Sequence, residues 1–551
     1  MKMLTTTFQK GAYKSMGLFL NSRVPFEAYR LVTRDAYFID KTALLGELIS
    51  ALGTEKRFFC ITRPRRFGKS VMANMAGAFF GKAAEAEGVF DRLNIALVPE
   101  YREHVSRHNV IYIDFSEVPR DCVSYKQYID RIQNGINSDL AEEYPDLKID
   151  IQGSTWDILN EIFQKTHQSF IFVMDEWDAV FHMPFITKNE QMAYLLFLKS
   201  LLKGKAYAEL AYMTGVLPIT KYSSGSELNM FLEYDMATRV RFGEYFGFLE
   251  GEVDYLYGVY LKKTKYPRIA REDLTRWYDG YYTAAGDRMY NPQSVVSALT
   301  DNQISNYWTG SGPCDEIFYY IRNNVNDVRD DIALMISGER IGIKLQGYAA
   351  LEPELNTRNQ IYSAMVVYGL LTYSDGEVFI PNRELMNKFD ELLLTNDSMG
   401  YIYRLAKESE RMLKATLAGD TETMCDILKF AHDTESPILS YNSEIELSAV
   451  INLVYLAARD RYRVEREDKA GEGYVDFIFY PERREADAII LELKTDSTPE
   501  EAIRQIKDRN YALRFKGKLG EKPKYGGKIL AVGISYDRRS KAHFCKVEEI
   551  E

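Results

Sequence analysis

Four short apolar runs in the first 220 residues restrict the fold more than any other feature: RFFCIT (57–62), NVIYIDF (109–115), SFIFVMD (169–175) and LAYMTGVLPI (210–219). Each has the length of one strand and is apolar at successive positions, so the sheet they build must be covered on both faces. Stretches with helical patterning lie between them, including 70–83, 124–144 and 189–204. Strand and helix alternating in this way predict an α/β domain with a doubly wound parallel sheet. With 551 residues, 46% apolar and 27% charged, the chain suffices for about three domains with their own cores. The same composition excludes disordered, collagen-like and disulfide-stapled classes.

No repeat at a solenoid or propeller period is present. The first domain is expected over 20–250. A middle region, 251–435, is rich in Tyr, Leu and Asp in helical patterns; IYSAMVVYGLLTY (361–373) followed by SDGEVFIPN (374–382) reads as a helix leading into a hairpin. That order fits a winged helix or an ordinary helix-plus-hairpin unit. The third domain, 440–551, is expected to run helix, strand GYVDFIFYP (473–481), strand AIILELKT (488–495), helix PEEAIRQIKDRNYALRF (499–515) and strand KILAVGISY (528–536). Five scattered cysteines without a C-x-x-C pair argue against a disulfide framework or zinc ribbon. No secretory pattern and no window of 18 apolar residues is found, so a cytoplasmic location without membrane contact is expected.

Gly68-Lys69-Ser70 follows the first apolar run and opens a helical stretch. Phosphate binding needs that placement: backbone N–H groups and the helix N-terminus cradle the anion, the lysine neutralises β and γ oxygens, and the serine hydroxyl ligates Mg²⁺. The loop reads RPRRFGKS, with Arg63 where the general pattern has glycine. Arg63, Arg65 and Arg66 are candidates for contacting phosphate, acting on a neighbouring subunit or solvating the loop, with Arg63 and Arg66 placed in the nucleotide site. Asp175 and Glu176 end the third run, where an aspartate holds the Mg²⁺ shell and a glutamate polarises water. Thr214, near the end of the fourth run, is a candidate for sensing the γ-phosphate.

RPRRFGKS, preceded by FIDKT (38–42) and followed by DEWD (175–178), TGVLPITKYSSGSELNMF (214–231), WYDGYY (277–282) and YNPQSV (290–295), resembles the AAA-ATPase-like family of bacterial proteins over roughly residues 20 to 300. The arginine-rich loop is that family's usual form. The resemblance implies a P-loop NTPase fold, ATP bound with Mg²⁺ through Gly68, Lys69 and Ser70, and Asp175 and Glu176 in Walker-B roles. P-loop ATPases often act as oligomers with an arginine supplied across an interface, so a homo-oligomer is a further expectation.

In the third domain Glu492 and Lys494 are two apart on one strand and leave the same face, with Asp476 on the preceding strand. Paired carboxylates beside a lysine have the parts to hold Mg²⁺ and activate water at a phosphodiester. Apolar neighbours on both strands make inward-pointing charges costly unless they are paired or bind metal. Glu446 on the preceding helix is a further candidate ligand, with Glu444 as its alternative, and Gln505 and Tyr511 are candidates for supporting the lysine or the phosphate. This order resembles the PD-(D/E)XK nuclease superfamily over about 440–540, which implies a restriction-endonuclease-like α/β fold with Asp476, Glu492, Lys494 and Gln505 in the catalytic site.

Net charge is −11, yet residues 501–551 carry 13 basic and 7 acidic side chains. The acidic average therefore argues against a nucleic-acid partner only for the N-terminal bulk, because binding follows the local field. The expectation is an ATP-binding, Mg²⁺-dependent nuclease acting on nucleic acid, with DNA favoured over RNA. A nucleotide-controlled switch that only grips nucleic acid or a protein, and an ATPase acting on proteins, are the competing classes.

Overall fold

The computed structural model describes residues 17–82, 86–219, 227–307, 328–345, 355, 357–395, 401–433, 444–470, 473–483, 485–515 and 526–550. The chain divides into two compact units: Met1–Ser311 with Lys344–Leu355 and Tyr362–Gly376, and Gly312–Ile343 with Asn356–Ile361 and Glu377–Glu551.

In the first unit, strands β1 (Phe58–Thr62), β2 (Asn109–Asp114), β3 (Phe170–Asp175), β4 (Ala208–Gly215) and β5 (Leu232–Tyr234) form a parallel sheet in the order β2-β3-β4-β1-β5. Successive side chains enter opposite cores. Phe58 and Cys60 join Phe170, Phe172 and Met174 on one face, while Phe59 and Ile61 join Ile171 and Val173 on the other. Helices α1 (Val24–Val32), α2 (Lys69–Phe80), α3 (Tyr125–Glu143), α4 (Thr155–Thr166) and α5 (Lys188–Leu202) supply the covering layers, as the continuous apolar runs require. Because every strand is parallel, all carboxyl ends lie along one edge, where open α/β sheets bind ligands. Beyond this sheet the unit adds α6 (Glu250–Lys263), α7 (Arg271–Tyr278) and α8 (Pro292–Asp301).

The fourth apolar run departs from its expected extent. The strand stops at Gly215, and Val216 and Leu217 leave the ladder with their N–H groups donated to the Asp178 carboxylate, Leu217 at 2.8 Å. Gly215 sits under this turn, and a Cβ there would fall 2.4 Å from the Trp177 ring and 2.5 Å from the Asp178 carboxylate. Gly215→Ala should therefore destabilise the first unit by about 1–3 kcal/mol, read as a lower midpoint in chemical denaturation.

The second unit is built on a mixed sheet of β6 (Tyr462–Ala470), β7 (Gly473–Pro481), β8 (Ala488–Thr495), β9 (Ile529–Asp537) and β10 (Ala542–Ile550), paired in chain order, with β8 and β9 parallel and the other pairs antiparallel. Its helices are α9 (Val328–Ile336), α10 (Arg383–Thr395), α11 (Tyr401–Ala418), α12 (Thr421–Asp433), α13 (Glu444–Val454) and α14 (Pro499–Asp508). Ile503 and Ile506 of α14 pack on Ile478, Ile490 and Ala531 of the sheet. The middle region is helical, and the order read from 361–382 is present: helix Arg358–Tyr368, then strands Thr372–Ser374 and Glu377–Phe379. No helix among the described residues is long and apolar enough to cross a membrane.

Candidate functional sites

The carboxyl edge of the first sheet gathers the residues expected to handle nucleotide. Thr62 ends β1, and the chain turns through Arg66 (φ 69°) and Gly68 (φ 87°) before α2 begins at Lys69. The Lys69 ammonium is buried, donates to the Pro64 carbonyl at 3.3 Å and stands 4.0 Å from a Glu176 oxygen. From β3, Asp175 is 1% exposed, and its Oδ1 accepts the Thr214 hydroxyl from β4 and the Glu176 N–H at 3.0 Å. The exposed Ser70 hydroxyl also bonds Asp175. Burial pushes the Asp175 carboxyl up to about 6, against these donors. Gly68, Lys69, Ser70, Asp175, Glu176 and Thr214 thus converge from three strand ends, as their motifs suggested.

Glu176 adopts φ 50°, a left-handed conformation uncommon outside glycine, at the sharp turn leaving β3. The turn is fixed on both sides by Trp177 N–H donating to the Thr214 carbonyl at 3.0 Å and by Asp178 accepting from the end of β4. Burial raises the Glu176 carboxyl pKa, and the Lys69 charge opposes that rise.

Arg63 is a correction. The side chain expected at phosphate is 1% exposed, and its guanidinium donates to the carbonyls of Thr62 at 2.7 Å, Tyr234 at 2.8 Å and Phe242 at 3.0 Å while lying over the Phe246 ring. It ties β1 to β5 and to the segment after β5. Arg65 and Arg66 border the cleft. Asp114, at the end of β2 and in register with Asp175, also lines it, although the sequence reading passed it over. The signal was present, since NVIYIDF ends its apolar run on a carboxylate as SFIFVMD does.

A cleft of about 900 Å³ joins this loop to a wall that includes Tyr37, Phe38, Ile39, Tyr245, Phe248 and Val296. Convergent polar groups beside an apolar wall suit a ligand with a charged and a flat apolar part. Ser70 and Asp175 offer a hydroxyl and one carboxylate, a donor set that fits Mg²⁺, which keeps waters and shares phosphate oxygens.

In the second unit, Asp476 on β7 and Glu492 and Lys494 on β8 leave the sheet face covered by α14. The Leu493 N–H donates to Asp476 Oδ2 at 2.7 Å, which orients that carboxylate toward β8. Glu492 is 3% exposed; its Oε1 accepts Lys494 Nζ at 3.0 Å and the Gln505 side-chain amide from α14. Its Oε2 is buried without a hydrogen-bond partner among the described residues. A buried carboxylate oxygen of this kind, within the electrostatic influence of the Asp476 carboxylate, fits a divalent cation. Among the described residues no group of three or more His, Cys, Asp or Glu surrounds a metal position, so water and substrate oxygens would complete the shell. Glu446 and Glu444 lie on α13, and their side chains fall outside the described residues. Tyr511 is buried and donates its hydroxyl to the Tyr474 carbonyl at 2.6 Å, so it braces β7.

Burial, reinforced by the Asp476 charge, pushes the Glu492 carboxyl up to about 7 from an ordinary value of 4.5. Between those values the folded state binds more protons than the unfolded chain, so this group's contribution to stability falls as pH rises toward 7. Glu492→Gln should accordingly stabilise the protein at pH 8 in EDTA, by on the order of 1–3 kcal/mol, with little effect at pH 5, measured as paired thermal melts.

Each unit contains a match to a known family. Residues 26–224 match the profile of a family described as predicted AAA-ATPase, and residues 448–542 match the PD-(D/E)XK nuclease superfamily. A search of curated proteins found no match. Among solved structures, the Walker-type ATPase PABY2304 of Pyrococcus abyssi is 12% identical, with 63% of this chain and 94% of that chain covered and a TM-score of 0.35. The Aeropyrum pernix ORC1 protein, solved in complex with DNA, is 13% identical, with 66% and 96% covered and a TM-score of 0.28.

Proposed function

We propose that this chain, an ATPase-like region followed by a nuclease-superfamily region, binds and hydrolyses ATP and cleaves nucleic acid phosphodiesters with Mg²⁺, with DNA favoured over RNA. The observation that carries the reading is Glu492, buried beside the Asp476 charge, whose Oε2 has no hydrogen-bond partner among the described residues while its other oxygen holds Lys494 and Gln505.

In the first unit the loop N–H groups and Lys69 would take the β and γ phosphates, and the ammonium would exchange the Pro64 carbonyl for phosphate oxygens. Ser70 and Asp175 would hold Mg²⁺, which supplies charge neutralisation between the phosphates. Glu176, fixed by the turn after β3, orients and deprotonates the attacking water, and Thr214 keeps the Asp175 carboxylate aimed. In the second unit Asp476 and Glu492 would hold Mg²⁺, which supplies electrostatic stabilisation of the attacked phosphate. Lys494, its ammonium paired with Glu492, orients the attacking water, whose proton leaves to solvent, and Gln505 pins Glu492 in the orientation that leaves Oε2 open.

A cleavage panel tests the proposal: single- and double-stranded DNA and RNA, each with Mg²⁺ or EDTA and with or without ATP. Cuts that need Mg²⁺ are expected. Wild-type protein that leaves every form intact under all conditions would sink the nuclease reading.

A further inference from the structure

Two exposed aromatic rings lie on strands of the sheet that bears the carboxylates, and the chemistry above uses neither. Tyr474 lies two residues before Asp476 on β7. Lys494 is in register with Ser535 on β9, and Ser535 is opposite Phe544 on β10; residues paired across a ladder share a face. Strand spacing of about 4.8 Å then places Phe544 about 10 Å from Lys494, with Ser535 between them. Tyr474 and Phe544 are 65% and 48% exposed. Both have fixed backbones, Tyr474 through the Tyr511 hydroxyl on its carbonyl and Phe544 through the β9–β10 ladder. The turn joining β9 to β10 adds Arg538, Arg539 and Lys541; Arg538 Nε bonds Asp496 at 2.7 Å, and Arg539 and Lys541 are exposed.

Exposed rings flanking a phosphodiester site, beside a turn bearing cations, suit a polyanion that also offers flat apolar faces. Bases in a duplex are stacked on one another and present no free face, whereas an unpaired base can stack on a ring. We infer that this face binds single-stranded nucleic acid, with Tyr474 and Phe544 stacking unpaired bases on either side of Lys494 and with Arg539 and Lys541 on the backbone phosphates. The inference rests on the proposed function only in taking this face as the one that meets nucleic acid.

The test is fluorescence anisotropy of the full chain in EDTA, with a labelled single-stranded 20-mer DNA, its RNA equivalent and the blunt DNA duplex. Wild type should bind both single strands more tightly than the duplex. Tyr474→Ala with Phe544→Ala should lose roughly tenfold or more for single strands and little for the duplex, with an unchanged melting temperature. Phe544→Trp, which keeps a stacking face, should retain the preference, and Arg539→Ala should weaken both forms and reduce the salt slope. Equal wild-type affinity for the two forms overturns the inference, as does unchanged single-strand binding in the double alanine variant. The nuclease reading fails separately: a protein that prefers single strands through these rings yet never cuts keeps the inference and loses that reading, while a Mg²⁺-dependent cutter indifferent to strandedness does the reverse.

Discussion

Glu492→Ala and Lys494→Ala should each reduce phosphodiester cleavage by roughly 10²–10⁴-fold while leaving ATP hydrolysis within about twofold of wild type. The two side chains meet at one carboxylate: Lys494 holds Glu492 Oε1, and Oε2 is buried with no partner among the described residues. Removing the carboxylate deletes the proposed metal ligand and leaves the lysine without its anchor. Removing the lysine deletes the group proposed to orient the attacking water and raises the cost of ionising Glu492, because its positive charge is the strongest influence lowering that carboxyl's pKa. Lys494→Arg keeps the charge but not the compact ammonium and should recover little. Gel-based cleavage with phosphate release measured on the same samples separates the two activities.

Lys69→Ala should abolish ATP turnover, and Glu176→Gln should preserve ATP binding while slowing turnover by roughly 10²-fold or more. The distinction comes from position. Lys69 is buried in the loop with its ammonium on the Pro64 carbonyl, so its loss removes the phosphate's principal cation and leaves the cradle short of a charge. Glu176 sits one residue beyond the buried Asp175 on a strained turn, where an amide keeps the shape and removes the proposed base. Equilibrium binding of a fluorescent ATP analogue and steady-state phosphate release check the pair. Tight binding without turnover in Glu176→Gln, against weak binding in Lys69→Ala, is the expected pattern.

The parts of the fold legible in the sequence were those whose physics is local or periodic. Continuous apolar runs marked β1 to β4 because strands buried on both faces tolerate no polar positions. β5, Leu232–Tyr234, is a three-residue edge strand that is only half-buried and left no such mark. β6 and β10 were missed for a related reason: YRVEREDKA and AHFCKVEEI are edge strands dense in charge, which discourages edge pairing and hides them from an apolar search. Site residues behaved likewise. Motif spacing grouped Lys69, Ser70, Asp175 and Thr214, which the fold gathers at the carboxyl edge of one parallel sheet. The motif could not reveal that Arg63, the first loop residue, faces carbonyls at Tyr234 and Phe242 about 170 residues later, since that depends on the course of the chain after β4. Asp114 was overlooked because its run had been read only as a strand.

The most direct test of two separate phosphate-chemistry sites on one chain is a parallel readout of phosphate release and nucleic-acid cleavage for wild type, Lys69→Ala and Glu492→Ala. Lys69→Ala should fail to release phosphate, and Glu492→Ala should release phosphate normally and cut nothing. Wild-type phosphate release by Lys69→Ala, or cleavage by Glu492→Ala indistinguishable from wild type, would contradict the account.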